Sequence, residues 1–140
     1  MRIDKCLLAL LCISAVMLGG YGGWGDESRS DNETSKAVYR KISSAQAKAM
    51  MDDGNPYILI DVRTEREHST QHIKGAVLIP DNEIRLRAES ELPDKNARIL
   101  VYCHSGNRSA AVARTLVSLG YTSVYDMGGI MSWHYGTVSK

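Results

Sequence analysis

Phenylalanine is absent from this chain of 140 residues, and tryptophan, proline and cysteine are scarce, with two, three and three copies. A core without Phe has to be assembled from Ile, Leu, Val, Ala and Tyr. The hydrophobic share of 44% and the charged share of 24% are nonetheless ordinary for a globular protein, which excludes wholesale disorder. An excess of either charge is also missing: 17 Lys and Arg face 16 Asp and Glu, a net charge of +1. That balance gives no basis for binding nucleic acid or an anionic membrane surface, so the expected partner is a small molecule or another protein. Nor is there a hydrophobic run of membrane-spanning length. The run from Cys6 to Leu18 covers about 13 residues, whereas a spanning helix needs about 20.

That short run has a different reading. Arg2 and Lys5 precede it, and Gly19, Gly20, Gly22 and Gly23 follow, which is the plan of a secretory signal peptide. Residues 1–22 are therefore expected to be a leader, and the protein to be exported, either periplasmic or secreted. Contact with a membrane is expected only through an uncleaved leader. Residues 23–37 are rich in Gly, Ser, Asp, Asn and Glu and read as a solvated linker. One domain over residues 38–140 remains, since this length holds one core and not two. Cys6 and Cys12 lie in the leader, so Cys103 is the one cysteine of the mature chain and no internal disulfide is expected. A lone thiol in an oxidising compartment is either a buried inert residue or a working nucleophile.

Ser43 and Gln46 make a capping-box pattern, and the Ala- and Met-rich stretch behind them predicts a helix from about Ser44 to Asp52, ahead of Gly54 and Pro56. Tyr57 to Ile60, Ala76 to Ile79 and Ile99 to Tyr102 are short apolar runs of the kind that form buried strands. Residues 82–91 and 109–119 read as helices, the second stopped by Gly120, and Thr122 to Tyr125 as a further strand. Strands alternating with helices predict an α/β domain with a mainly parallel sheet flanked by helices, whose ligands bind beyond the carboxyl ends of the strands.

Cys103 stands where one such strand meets one such helix. His104, Ser105, Gly106, Asn107 and Arg108 read as a polar turn, and the helix is expected to open at Ser109. Unpaired N–H groups and the positive end of the helix dipole favour an anion at this point, here the thiolate of Cys103. Gly106 allows a tight turn whose N–H groups converge on the sulfur, and Arg108 adds a positive charge. Cys103 is thus the candidate nucleophile, with His104, Ser105, Gly106, Asn107 and Arg108 as the candidate substrate cradle. His104 can serve as an acid or base or simply project into solvent. The competing reading is a buried structural cysteine.

The Cys-x-x-Gly-x-Arg loop resembles the active-site loop of the rhodanese family. Asp61-Val62-Arg63 with Glu67, His72-Ile73-Lys74-Gly75-Ala76 with Ile79-Pro80, and Gly128-Gly129 followed by Trp133 resemble further segments of the same family in order and spacing. Glu65, His68, Gln71 and Leu78 depart from its common residues, away from the cysteine loop. The resemblance implies a single rhodanese-like domain that moves sulfane sulfur from thiosulfate or a similar donor to cyanide or a thiol, through a persulfide on Cys103. It implies no cofactor and no metal. Asp61 and Arg63 are expected to be structural, and Gly128, Gly129 and Trp133 to be turn and packing residues. His68 and His72 have metal-compatible spacing but lack a third ligand.

Two alternatives differ in kind. One is a persulfide carrier or binding module with a dedicated protein partner and little free turnover. The other is a cysteine-dependent phosphatase, whose loop has five residues between Cys and Arg. Four separate Cys103 from Arg108.

Overall fold

The computed structural model describes residues 38–140, so the leader and linker lie outside the described residues. Five strands form one sheet in the order β1-β5-β4-β2-β3: β1 Arg40–Lys41, β2 Ile58–Asp61, β3 Val77–Leu78, β4 Ile99–Cys103 and β5 Val124–Gly129. Every pairing is parallel. The helices are α1 Ser44–Asp52, α2 Glu65–Thr70, α3 Ile84–Glu91 and α4 Asn107–Ser118, with a 3-10 turn at Ile130–Ser132. The expected α/β class is the one observed. Among the described residues no helix is long and apolar enough to cross a membrane.

The apolar strand runs are continuous because both faces of the sheet are covered. Side chains alternate along a strand, so β4 sends Ile99, Val101 and Cys103 to one side and Leu100 and Tyr102 to the other. The first set packs with Ile84, Ala88 and Leu92 around α3 and with Val112, Ala113 and Leu116 of α4. The second set packs with Ala47 of α1, Met127, Ile130 and Trp133. Cys103 therefore belongs to the α4 side of the core.

The α1 capping box is present in full: Ser43 Oγ accepts from the Gln46 N–H at 3.2 Å, and Gln46 Oε1 accepts from the Ser43 N–H at 2.9 Å. Two elements carry too little periodicity to be read from sequence. β1 has two polar residues and exists because the edge of β5 accepts it in parallel register. α2 is six residues long, and the one local signal that could have found it is the Thr64/Glu67 capping box, which the structure contains in full. The final strand runs past its expected end at Tyr125 to Gly129. Against β4, Val101 faces Asp126 while Cys103 faces Gly129, so β5 carries an extra residue there. This bulge, with Gly128 at φ 82°, keeps the pairing alive through a Gly-Gly pair that reads as a turn.

Candidate active site

In a parallel sheet all carboxyl ends share one edge, and here that edge gathers Asp61, Cys103 and Gly129. Cys103 closes β4 and is 1% exposed, at the floor of the loop that follows. Its sulfur accepts the Gly106 N–H at 2.9 Å and lies 3.7 Å from the Ser109 hydroxyl. Gly106 has φ 108°, a conformation that side chains rarely adopt, and this lets the chain turn from strand to helix within three residues.

The tight turn moves the helix start. α4 begins at Asn107, with Gly106 as its cap and the Ala110 N–H bonded to the Gly106 carbonyl. Asn107 and Arg108 are therefore in the first helical turn, not in the polar turn expected from sequence. His104, Ser105 and Asn107 are exposed, and Gly106 and Arg108 are half-buried. The six residues proposed from sequence are contiguous around the sulfur, but only Gly106 among the five neighbours is hydrogen-bonded to it.

Arg108 is not a free charge. Its Nη1 and Nη2 donate to Glu67 Oε2 and Oε1 at 3.0 and 2.8 Å, a two-point pair that ties α4 to α2. Glu67 in turn accepts from Thr64, closing the α2 capping box. The Arg108 hydrogen bonds, aided by those from Thr64, hold the Glu67 carboxyl well below its ordinary 4.5, at about 2. A depressed carboxylate contributes stability that is complete above its unfolded value and lost as pH falls through the folded one. The stability difference between the wild type and Glu67→Gln is therefore expected to be constant above about pH 5 and to shrink toward pH 2. With both side chains about a third exposed, its plateau should be about 1 kcal/mol or less. Urea melts across that range measure it.

The wall behind the loop is Gly129. A Cβ built there would lie 2.1 Å from the His104 carbonyl oxygen and 2.7 Å from the Ser105 Cα, both backbone atoms that cannot swing away. Gly129→Ala should displace the cysteine loop, lower stability by about 1–3 kcal/mol and reduce activity by at least tenfold. A thermal melt and an activity assay on the same preparation check both. The close approach is invisible in sequence, where Gly128-Gly129 reads as an ordinary turn.

Beside the loop lies a cleft of about 480 Å³ lined in part by Arg63, Arg66, Glu67, His104, Met131 and Trp133. Its base is braced by Asp61, which is fully buried. Asp61 Oδ1 accepts from Arg63 N and Nε, and Oδ2 from Arg63 Nη2, His68 Nδ1 and the Tyr102 hydroxyl, all within 2.7–3.0 Å. Burial pushes the Asp61 carboxyl up, but hydrogen bonds from Arg63 and His68 outweigh it and hold the group below the usual carboxylate range. Burial likewise raises the Tyr102 phenol. Asp61 and Arg63 are thus a structural pair. The rings of His68 and His72 stack at 3.9 Å, with His72 Nδ1 bonded to the His68 carbonyl, so both Nδ1 atoms are occupied within the protein.

The site is thus a buried cysteine between the end of a parallel strand and the start of a helix, backed by a glycine wall. The rhodanese-like domain family model matches residues 43–135, and the chain belongs to that family. It is similar to thiosulfate sulfurtransferase PspE of Escherichia coli (strain K12), with 38% identity over 71 residues that span 51% of this chain and 68% of that protein. It is also similar to YrkF of Bacillus subtilis (strain 168), named as a candidate sulfur carrier protein, at 36% over 110 residues, 78% of this chain and 57% of YrkF. Among solved structures, a rhodanese with anions from Escherichia coli aligns with a TM-score of 0.58 and 33% identity, over 61% of this chain and all of that one. These likenesses support a rhodanese-type role in sulfur transfer or sulfur carriage.

Proposed function

We propose that the protein is a sulfurtransferase that takes sulfane sulfur from thiosulfate or a similar donor onto Cys103 and passes it to cyanide or a thiol. The observation that carries this reading is the Cys103 sulfur at the end of β4, receiving the Gly106 N–H in the turn that opens α4. In the first half-reaction the Cys103 thiolate attacks the outer sulfur of thiosulfate. The S–S bond of the donor breaks, sulfite leaves with its electron pair, and a persulfide anion remains on the enzyme. In the second, cyanide or a thiolate attacks the outer sulfur, leaving as thiocyanate or a new persulfide, and the Cys103 thiolate returns. Both are displacements, so no cofactor or metal enters the balance.

Cys103 is the nucleophile in this scheme, and His104, Ser105, Gly106, Asn107 and Arg108 form the rim on which donor and acceptor arrive. The two-point pair with Glu67 makes Arg108 first a clamp on the loop, its positive charge shared between that carboxylate and an incoming anion. Likeness to a rhodanese whose structure carries anions supports an anionic donor. Intact-mass analysis after incubation with thiosulfate tests the reading. A gain of one sulfur atom, absent in Cys103→Ser, is the expected result, and an unmodified wild-type mass counts against it.

The similarity to YrkF favours a second reading, in which Cys103 carries sulfur to a dedicated protein thiol. Stoichiometric loading without turnover on any small acceptor would distinguish it. The phosphatase alternative is disfavoured by the four-residue spacing between Cys103 and Arg108. The leader pattern of residues 1–22 supports export to the periplasm or the exterior. Amino-terminal sequencing of the protein from its native source should begin after about residue 20.

A further inference from the structure

The buried side of the cysteine loop holds a polar chain that sulfur transfer, as written above, does not use. The Ser109 hydroxyl, in the first turn of α4, is fully buried. Its oxygen lies 2.6 Å from Asp126 Oδ1, 3.0 Å from the Gly106 carbonyl, 3.3 Å from the Gly128 carbonyl and 3.7 Å from Cys103 Sγ. A hydroxyl has one proton and can donate to one of these at a time. The short contact to Asp126 claims it, which leaves a lone pair of Ser109 for the Cys103 S–H. Asp126 is itself 1% exposed. Its Oδ1 also accepts the Gly128 N–H at 2.9 Å, while its Oδ2 has no hydrogen-bond partner among the described residues. A buried carboxylate oxygen without a partner is costly.

We propose that Ser109 is a proton relay between the Cys103 thiol and the Asp126 carboxylate, through which the buried cysteine becomes a thiolate without meeting solvent. The S–H bond of Cys103 breaks and an O–H bond forms on Ser109, while the original hydroxyl proton passes to Asp126. One negative charge moves from carboxylate to sulfur, and nothing is oxidised or reduced. The new carboxylic acid then donates to Ser109, and the reversed hydroxyl donates to the thiolate beside the Gly106 N–H. Ser109 touches the reacting sulfur, and Asp126 is a positioning residue that acts through it. The relay rests on Cys103 as the sulfur-bearing nucleophile.

The other charged groups around this chain come from separate elements. Arg108 of α4 is held by Glu67 of α2. His104 sits on the exposed side of the loop, and Lys41 of β1 lies opposite Asp126 in the sheet with its side chain exposed. None of them hydrogen-bonds Ser109 Oγ among the described residues.

Alkylation of Cys103 by iodoacetamide, followed against pH, reads the thiolate without any sulfur donor, so its result stands apart from the fate of the sulfurtransferase reading. Ser109→Ala removes the hydroxyl that donates to the thiolate and should raise the midpoint by about one pH unit, slowing alkylation about tenfold below it, whereas Asp126→Asn, a neutral stand-in for the protonated carboxyl, should lower it. The rate at the high-pH plateau should stay the same, whereas a merely loosened loop would change the plateau. The double variant should behave as Ser109→Ala alone, because Asp126 acts on the sulfur through Ser109. An unmoved midpoint in Ser109→Ala, a rise in Asp126→Asn, or shifts that add in the double variant overturn the relay. Should the variants fail to fold, the wild type still decides. Its infrared spectrum, at a pH where thiolate absorbance is present, should show a buried carboxylic-acid carbonyl band, and thiolate without that band overturns the proposal.

Discussion

Replacing Cys103 by serine is expected to reduce sulfur transfer from thiosulfate to background while the domain stays folded. Serine keeps the size of the side chain and can use the same neighbours, the Gly106 N–H and the Ser109 hydroxyl. Its own hydroxyl stays protonated near neutral pH and cannot carry a second sulfur, so both half-reactions stop at the first bond. The cost to the fold should be about 1 kcal/mol, because a polar group in the same buried place still finds partners. A structural cysteine would show the opposite pattern, some loss of stability with transfer intact. Activity and melting temperature measured on one preparation separate the two, and substantial transfer by the folded serine variant would falsify the role of Cys103.

The largest loss of stability is expected at a residue that never meets substrate. Asp61→Ala removes the carboxylate that Arg63, His68 and Tyr102 share, and leaves the Arg63 guanidinium, 3% exposed, with only the Gln71 carbonyl as a remaining acceptor. Breaking a buried pair in this way costs about 3–5 kcal/mol, since the surviving charge stays desolvated. For a domain of this size that corresponds to a melting temperature lower by about 12 °C or more. Arg63 also lines the cleft beside His104, so activity at permissive temperature should fall as well. Asp61→Asn keeps the shape but removes the charge and should lie between. A loss under about 1 kcal/mol in Asp61→Ala would mean that Arg63 finds another partner once the carboxylate is gone.

The part of this protein legible in its sequence is the part whose determinants are neighbours in the chain. The apolar run Ile99 to Tyr102, the cysteine after it, Gly106 and the helix formers that follow are consecutive. Strand and tight turn are local decisions of backbone conformation and burial, and the helix is announced with them, although it opens at Asn107 and not at the expected Ser109. The same holds for α1, where Ser43 and Gln46 announce the cap within three residues. The class of fold follows from the alternation of such segments.

Contacts between distant residues are a different matter. Glu67 and Arg108 are 41 positions apart and meet because α2 and α4 leave the same sheet edge. Ser109 and Asp126 are 17 apart and meet because β5 lies beside β4. The bulge in β5 sets Gly129 against the cysteine loop, at a distance no side chain tolerates, and no pattern in a Gly-Gly pair announces it. Arg108, a free cation by its place in the sequence, is a paired one in the fold. Local propensity selects strands and helices, but only the register of the packed sheet decides which charges neutralise one another and which buried carboxylate stands behind the sulfur.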